Sequence, residues 1–397
     1  MELSKRVQAI KESPTLAVTA RAARLRSEGK DIIGLGAGEP DFDTPQHIKD
    51  AAKQAIDQGF TKYTPVAGIP GLKKAIVDKF KRENGFDYGV NEVIVGVGGK
   101  QCIFNLALAV LNPGDEVVIP APYWVSYADI ALVAEAKPII VECGIEQGFK
   151  LTPAQLAAAI TPKTKLFFIN SPSNPTGSVY TLEELAALGE VLKQHPHVLV
   201  ATDDMYEHVN LTGAPFVNIL NATPQLKDRT IVLNGVSKAY SMTGWRIGYA
   251  AGPAYIIKAM EILQSQSTSN PTSISQVAAQ AALEGPQECI EPMLKAFRER
   301  HEFVVKRFNE MPGLNCLKAG GAFYAFPDAR AAIADLHSRG KIAAPTDMAL
   351  SEYLLESVGV AVVPGSAFGA EGYFRISFAT SMDNLKNALE RIENALK

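Results

Sequence analysis

The chain has 397 residues, of which 47% are hydrophobic and 20% are charged, and its formal net charge is -3 at pH 7. This composition predicts a globular protein of roughly two or three domains and excludes a disordered, collagen-like or coiled-coil chain. The small excess of acidic residues provides no basic surface for nucleic acid, and no stretch approaches the roughly 18 apolar residues of a membrane span, so we expect small-molecule ligands instead.

The cysteines give no sign of a disulfide framework or a zinc site. Cys102, Cys143, Cys289 and Cys316 form neither a CxxC motif nor a histidine-flanked pair. Residues 1–10 contain no unbroken apolar segment of the kind that a secretory signal requires. We therefore expect a reduced, cytoplasmic protein without a metal.

Helical stretches alternate with short β-rich runs from residue 46 to residue 285, a pattern typical of parallel strands with crossover helices. The predicted strands are Glu92–Val95, Glu116–Ile119, Pro138–Glu142, Lys165–Ile169, His197–Thr202, Arg229–Leu233 and Ile247–Ala251. Thr152 and Thr181 each stand three residues before a glutamine or glutamate, which predicts two capped helices after strands. We predict an α/β fold with a mostly parallel seven-stranded sheet sandwiched by helices, in a large domain at residues 46–285.

The pattern changes after residue 285. The predicted elements there are a helix at Glu291–Glu310, a β segment at Ala322–Phe326, a helix at Asp347–Ser357, strands at Val360–Val363 and Phe374–Phe378, and a closing helix. The closing helix has an apolar stripe formed by Leu385, Ala388, Leu389, Ile392 and Leu396. We predict a smaller α+β domain formed by residues 286–397 together with residues 1–45.

Glycines follow the first predicted strand directly, in the segment Gly96–Gln101, and an apolar-periodic helix comes next. A glycine-rich turn that enters a helix N-terminus offers free backbone N–H groups and a positive dipole to a phosphate. Such a turn also serves tight backbone geometry alone, and the glycines do not decide between these roles. The earlier segment Gly34–Gly38 is a weaker candidate, because no helix opens directly after it.

Polar side chains follow two further strands at the predicted edge of the sheet where ligands of parallel α/β proteins bind. Asn170 and Asn174 lie in turns that prolines rigidify, and Asp203 and Asp204 follow the strand His197–Thr202. Adjacent carboxylates repel each other, so we expect a buried cation beside Asp203. A purely structural turn and an ordinary helix N-cap are the alternatives at these positions.

A lysine and two arginines complete the set of candidate site residues. Lys238 follows the strand Arg229–Leu233 among small and apolar residues, where partial desolvation would free its amine to attack a carbonyl; a solvated lysine is the alternative. Arg246 lies between glycines, and Arg375 lies in an alternating strand, where it faces solvent or forms a fork for a carboxylate. Together with the phosphate turn, the aspartate, the asparagine and Tyr206, these residues would suit an aldehyde cofactor that carries a phosphate and a pyridine nitrogen.

These motifs resemble, in order and essentially end to end, those of the fold-type I, pyridoxal-phosphate-dependent aminotransferases, specifically the bacterial branch of the class I aspartate aminotransferases. The matching residues are Gly38–Phe42, Tyr63, Gly98–Gln101, Pro122–Tyr127, Asn174–Gly177, Asp203 with Tyr206, Ser237–Lys238, Gly244–Gly248 and Arg375–Ser377. The resemblance implies a homodimer with shared active sites. It also implies a large cofactor-binding domain, a small domain built from both chain ends, and an N-terminal arm at the dimer interface.

The resemblance implies a role for each matched side chain around the cofactor ring. Lys238 would form the Schiff base with pyridoxal 5'-phosphate, and Asp203 would keep the pyridine nitrogen protonated. Tyr206 and Asn174 would hydrogen-bond the phenolic oxygen. Trp124 would stack on the ring and border the substrate, with simple core packing as the alternative.

The resemblance also implies how the two anionic ends are bound. The phosphate ligands would be Arg246, Ser237, the amides of Gly99 and Lys100, and Tyr63 from the neighbouring subunit. Tyr63 as a plain surface aromatic is the alternative. Arg375 would clamp the substrate α-carboxylate, assisted by Asn174 and the N–H of Gly38. Many relatives carry a hydroxyl residue where this chain has Gly235, so water or a backbone amide is expected to replace one phosphate hydrogen bond.

The implied reaction is ping-pong transamination, in which aspartate and 2-oxoglutarate become oxaloacetate and glutamate. In the bacterial branch the lysine of the Gly-Gly-Lys-Gln segment is assigned to the distal carboxylate, which points to Lys100; a solvated lysine is the alternative. Aromatic amino acids or prephenate as substrates, and a pyridoxal-dependent lyase, stay open. A cofactor-binding transcription regulator is an alternative that would need a winged-helix domain and a basic surface. A nicotinamide-dependent dehydrogenase is the remaining alternative function.

Overall fold

A computed structural model describes residues 2–10, 12 and 14–397. Within these residues the strands are β1 Ile33–Gly34, β2 Val93–Val97, β3 Glu116–Ala121, β4 Lys137–Glu142, β5 Thr164–Asn170, β6 Leu199–Asp203, β7 Thr230–Gly235, β8 Ile247–Ala251, β9 Tyr324–Ala325, β10 Val360–Ala361, β11 Val363–Pro364 and β12 Phe374–Ser377. The α-helices in the same residues are α1 Lys5–Gln8, α2 Pro14–Ser27, α3 Gln46–Asp57, α4 Pro70–Lys79, α5 Gly99–Val110, α6 Ser126–Val133, α7 Pro153–Ala159, α8 Leu182–Lys193, α9 Ile219–Ala222, α10 Ala254–Ser265, α11 Ser273–Glu284, α12 Glu291–Glu310, α13 Arg330–Ser338, α14 Asp347–Val358 and α15 Met382–Leu396. A π-helical turn at Phe80–Asn84 continues α4.

The large sheet has the order β2-β8-β7-β6-β5-β3-β4. Strands β3 to β7 run parallel, and β8 runs antiparallel to both of its neighbours, β2 and β7. The prediction of a mostly parallel seven-stranded sheet is therefore confirmed, and each predicted strand agrees with the observed one to within two residues at either end. β7 and β8 are buried along their whole length, which is why their sequences are mostly apolar or small and do not alternate.

The helices that cover the sheet begin where the sequence places their caps. The hydroxyl of Thr152 accepts a hydrogen bond from the N–H of Gln155, and the side chain of Gln155 accepts one from the N–H of Thr152. Thr181 and Glu184 form the same reciprocal pair at the start of α8. Each box satisfies backbone donors that the first helical turn leaves free. No helix in the described part of the chain is both long and apolar enough to cross a membrane.

Two smaller sheets form from the segments outside the large one. β11, β12 and β9 make an antiparallel sheet, and β1 pairs in parallel with β10. The prediction of one strand over Val360–Val363 is wrong, because β10 and β11 belong to different sheets. Helix α12 spans the predicted residues, and the apolar stripe of α15 is buried as predicted.

The carboxyl ends of β5, β6 and β7 place polar residues at one edge of the large sheet. β5 ends at Asn170, its neighbour β6 ends at Asp203, and Lys238 follows β7 by three residues. Parallel strands bring their carboxyl ends together, so side chains far apart in the chain meet here. Arg375 reaches the same place from β12 of the smaller sheet.

Candidate functional site

A cavity of about 260 Å³ lies at this edge of the large sheet. The predicted site residues that line it are Gly38, Gly99, Lys100, Trp124, Asn174, Asp203, Tyr206, Ser237, Lys238, Arg246 and Arg375. Asn170, which the sequence places at this edge, lines the cavity as well, and the lining residues to which the sequence assigns no role are Thr15, Leu16, Ile103, Val125, Met205 and Tyr324. Tyr63 does not border the cavity of its own chain, and its side chain is 92% exposed.

Lys238 presents an amine to the cavity. Its Nζ donates a 2.6 Å hydrogen bond to the carbonyl oxygen of Gly38. Burial, reinforced by the positive charges of Arg246 and Arg375, lowers the pKa of Lys238 to about 8. At pH 7 about one amine in ten is then uncharged, against fewer than about one in a thousand for an ordinary lysine. The expected partly desolvated lysine is present, and its neutral form can act as a nucleophile or a base.

Asp203 lies at the end of β6 with both carboxylate oxygens engaged. The hydroxyl of Tyr127 donates to Oδ2 at 2.5 Å, and the N–H of Met205 donates to Oδ1 at 3.2 Å. The buried cation expected beside Asp203 is not found as an ion-pair partner among the described residues; Lys238 only acts on it at longer range. Burial raises the pKa of Asp203, and the Tyr127 hydrogen bond opposes that rise.

Asp204 does not share the site with Asp203. Its carboxylate accepts hydrogen bonds of 2.6 Å from the Thr202 hydroxyl and from the side-chain amide of Asn218. Because successive residues at a strand end point to opposite faces of the sheet, the two adjacent carboxylates diverge. The repulsion between the two carboxylates, from which a buried cation was expected, is therefore relieved by their opposite directions and by the neutral donors around Asp204.

Asn170 connects two of the predicted site residues. Its side-chain NH₂ donates to the backbone oxygen of Asp203 at 2.8 Å, and its side-chain oxygen accepts from the N–H of Asn174 at 2.9 Å. The side-chain oxygen of Asn174 in turn accepts from Arg375 at 2.8 Å. Asn170 therefore lies at the sheet edge where the sequence placed its side-chain amide.

Arg375 is 2% exposed, which decides between the two orientations that its alternating strand allowed. Its guanidinium lies between the rings of Tyr324 and Phe368, 4.4 and 4.9 Å from their centroids, and donates to the backbone oxygen of Gly36 at 2.7 Å. Its Nε is buried without a hydrogen-bond partner. A buried cation with a free donor at a cavity is suited to an anionic ligand, for which a carboxylate is the matching fork.

The turn between β2 and α5 comes very close to β8. A Cβ on Gly248 would lie 2.2 Å from the backbone nitrogen of Gly99, and a Cβ on Gly98 would lie 2.3 Å from a guanidinium nitrogen of Arg246. These contacts leave the helix N-terminus and the arginine side by side at the cavity, as an anion site requires. Gly235 pairs with Gly248, and a Cβ at Gly235 would lie 3.1 Å from the Cα of Gly248, a tight contact that favours glycine at this position.

Lys100 and Trp124 lie together at the rim. The Nζ of Lys100 is 5.0 Å from the centroid of the Trp124 ring, within the range of a cation–π contact. Burial, together with the charge of Arg246, lowers the pKa of Lys100. A second cation is therefore available at the cavity, distinct from Arg375. Trp124 is half-buried and borders the cavity, so it does more than fill the core.

Tyr324 is a site residue that sequence reasoning missed. Its hydroxyl lies 2.8 Å from the hydroxyl of Tyr206, and its ring covers the guanidinium of Arg375. It therefore links Tyr206, which follows β6 of the large sheet, to Arg375 in β12 of a smaller sheet. Nothing in the apolar segment Ala322–Phe326 marks this tyrosine in advance, because its partners are 118 and 51 positions away along the chain.

Comparisons with known proteins agree with this arrangement. The family model for class I and II aminotransferases matches residues 30–392. The chain is 64% identical over 396 residues, with both chains fully covered, to an aspartate/prephenate aminotransferase of Nitrosomonas europaea. Its structure superposes with a TM-score of 0.94 on an aspartate aminotransferase of Rhizobium meliloti at 50% identity, covering 100% of this chain and 99% of the other. The TM-score is 0.93 with a Thermus thermophilus aspartate aminotransferase with maleate, at 44% identity and full coverage of both chains.

Proposed function

This chain belongs to the family of class I and II aminotransferases, and from this premise we propose that it is a pyridoxal-5'-phosphate-dependent aspartate aminotransferase. It would convert aspartate and 2-oxoglutarate into oxaloacetate and glutamate. The observation that carries the proposal is that one cavity brings together the low-pKa amine of Lys238, the buried carboxylate of Asp203 and the unpartnered Nε of Arg375. The names of relatives at 50% identity and above support the choice of aspartate.

The donor set of the cavity fits pyridoxal phosphate at each of its functional groups. Lys238 would be joined to the aldehyde carbon, and Asp203 would face the ring nitrogen. The residues around the phosphate would be Arg246, Ser237 and the amides of Gly99 and Lys100, and those at the phenolic oxygen and ring face would be Tyr206, Asn174 and Trp124. When bound, the cofactor supplies a protonated ring that accepts the electron pair left at the substrate α-carbon.

The amine of Lys238 carries the proton in the reaction that we propose. As a free, neutral amine, its Nζ would accept the α-proton of the substrate, hold it and donate it again in the following step. Such shuttling requires a group that is neutral part of the time near pH 7, and a lysine pKa of about 8 meets this requirement. The Gly38 carbonyl, which accepts a hydrogen bond from Nζ, lies at the position to orient it.

Arg375 would select which bond of the substrate breaks. By fixing the substrate α-carboxylate beside Asn174, it would orient the Cα–H bond, and not the bond from Cα to the carboxylate, for cleavage. A guanidinium presents paired N–H donors in the geometry that a carboxylate accepts, and the Nε of Arg375 has no hydrogen-bond partner among the described residues.

Arg375→Lys is expected to lower kcat/KM about 100-fold for every amino donor, because an ammonium cannot form the fork and leaves the carbonyl of Gly36 short of a donor. Steady-state kinetics with aspartate, glutamate and alanine measure the effect. Arg298→Lys, at an exposed arginine of α12, is the matched control and should stay at the wild-type value. A loss limited to aspartate and glutamate would contradict this role for Arg375.

Lys100→Ala is expected to lower kcat/KM for aspartate by about 10- to 100-fold and for alanine by less than about 2-fold, since only aspartate has a distal carboxylate for this ammonium. Competition by a dicarboxylate inhibitor against aspartate gives an independent measure. Lys100→Arg, which keeps a cation near Trp124, should retain more of the aspartate preference. Equal losses for aspartate and alanine would show that Lys100 supports the site as a whole and does not bind the side-chain carboxylate of the substrate.

The decisive experiment for the proposed function is a panel of amino donors with 2-oxoglutarate and oxaloacetate as acceptors, with stoichiometric keto-acid formation as the readout. Activity with aspartate and glutamate supports the proposal. Activity with aromatic donors alone would overturn the substrate while leaving the chemistry intact, and elimination without keto-acid balance would indicate a lyase. Prephenate belongs in the panel as a second acceptor, because the relative at 64% identity is named for both substrates.

We further propose that the protein acts as a homodimer with residues 46–285 as the large domain and residues 1–45 with 286–397 as the small one. The 92% exposure of Tyr63 supports this, because a tyrosine assigned to the phosphate site must then reach the cavity of the neighbouring subunit. The N-terminal arm would contribute to the same interface. Sedimentation equilibrium tests the dimer directly, and a monomer at working concentration would refute it.

A further inference from the structure

Tyr127 is a buried tyrosine whose hydroxyl is directed at the carboxylate of Asp203. It is 2% exposed and lies behind Asp203, outside the lining of the cavity. Its ring stacks on Phe168 with centroids 4.6 Å apart and planes 14° apart, and it meets the ring of Trp124 edge-on at 5.4 Å. Two aromatic neighbours therefore fix the direction in which the hydroxyl points.

The surroundings of Asp203 contain few other groups that can act on its charge. Lys238 is the cation that acts on it, Tyr206 is a titratable neighbour, and Asp204 is the next residue along the chain. Asp204 is turned away and satisfied by neutral donors of its own. The side-chain donor that reaches the carboxylate of Asp203 within the described residues is Tyr127, at 2.5 Å on Oδ2.

We propose that Tyr127 is a positioning residue that keeps Asp203 anionic and correctly rotated, and so keeps the proton on the ring nitrogen of the bound cofactor. This inference rests on the proposed function. A proton shared between a carboxylate and a pyridine resides on the carboxylate oxygen or on the ring nitrogen. A hydrogen bond donated to the carboxylate stabilises its anion, and so favours the form with the proton on nitrogen. The phenol thus acts on the cofactor without touching it.

The test uses the holoenzyme and two variants, of which one removes and the other strengthens the hydrogen bond that residue 127 donates to Asp203. Tyr127→Phe removes the donor, and 3-fluorotyrosine at position 127 keeps the shape of the residue but donates more strongly. The readouts are the pH midpoint of the visible absorption of the bound cofactor and the ¹⁵N chemical shift of its ring nitrogen. Tyr180→Phe is the control, because that buried hydroxyl accepts a hydrogen bond from the N–H of Leu151 and is not bonded to Asp203.

We expect Tyr127→Phe to lower the proton affinity of the ring nitrogen about tenfold, seen as a ¹⁵N shift toward the unprotonated value and a higher midpoint of the visible band. The fluorinated residue should move both readouts the opposite way, and Tyr180→Phe should move neither. Wild-type values in both position-127 proteins, or equal shifts in Tyr180→Phe, would overturn the inference alone. If Tyr127→Phe does not fold, an unchanged fluorotyrosine protein would overturn it. A wild-type protein without any visible cofactor band would overturn the proposed function as well.

Discussion

Replacement of Lys238 by alanine is expected to lower kcat/KM with every amino donor by at least about 10⁴-fold, because the variant loses both the covalent attachment point and the base that moves the α-proton. Cofactor binding through Arg246 and Asp203 should persist in part. Borohydride reduction followed by peptide mapping is expected to label position 238 in the wild-type protein and to give no labelled peptide in the variant.

Lys341→Ala removes an exposed lysine from the same chain and is the matched control; it should retain wild-type activity and labelling. A label at any other lysine, or substantial turnover by the Lys238 variant, would contradict the covalent role. Because burial lowers the pKa of Lys238 to about 8, the free amine gains protons as the pH falls below that value. Reattachment of the cofactor after turnover should therefore slow in acid.

The largest effect on stability is expected from Lys79→Met. Lys79 is fully buried at the end of α4, forms an ion pair with Glu207, and donates to the side-chain oxygen of Asn84 at 2.9 Å. Asn84 and Asn234 donate to the two oxygens of the same carboxylate at 3.1 and 2.9 Å. Removing only the cation leaves a buried carboxylate without its partner, so the free energy of unfolding should fall by about 3–5 kcal/mol. Urea unfolding followed by circular dichroism measures it.

The double variant Lys79→Met with Glu207→Gln separates charge from packing. It replaces the ion pair by neutral side chains of similar volume and should recover most of the lost free energy. A double variant no more stable than Lys79→Met would show that the loss arises from packing instead.

The pH dependence of the single variant has a defined sign. In the wild-type protein burial raises the pKa of Glu207, but the charges of Lys79 and His208 outweigh burial and leave the pKa below its ordinary value. Without Lys79, burial and the neighbouring Glu83 should raise that pKa above the unfolded value. The stability deficit of Lys79→Met is then largest at neutral pH and shrinks as the pH falls and Glu207 is protonated.

Much of the large sheet was predictable because its strands are short apolar runs between turn residues, a signal that is local in the chain. The positions of Asp203 and Lys238 followed from the same signal, since Asp203 ends one such strand and Lys238 follows another by three residues. The orientation of Arg375 was not predictable, because every residue of β12 is buried and alternation no longer separates an inner from an outer face. Its burial depends on Tyr324 and Phe368, which come from other elements.

Two kinds of feature could not be obtained from one sequence. The partners of Tyr127 and Tyr324 are fixed only when separate elements pack together, and neither residue differs in its local pattern from an ordinary core tyrosine. The break between β10 and β11 is equally invisible, because Val360–Val363 is an unbroken β-branched and small apolar run. The two strands are separated only by their pairing, since β10 pairs with β1 and β11 pairs with β12.

The contact of Gly99 and Gly235 with Gly248 has a consequence for laboratory evolution of this enzyme. At these three positions a single added methyl group would meet backbone atoms at 3.1 Å or less, or, at Gly99, the methyl carbon of Met205 at 2.4 Å. A library at Gly248 should therefore return almost only the parental glycine, because backbone atoms block any side chain there. At Gly99 the obstacle is the end of a flexible side chain, and at Gly235 the neighbours need to move by only a few tenths of an ångström, so these two positions should be less restricted. Altered substrate range is then expected to arise from mutations at Lys100, Thr15 and Leu16, which line the cavity with replaceable side chains.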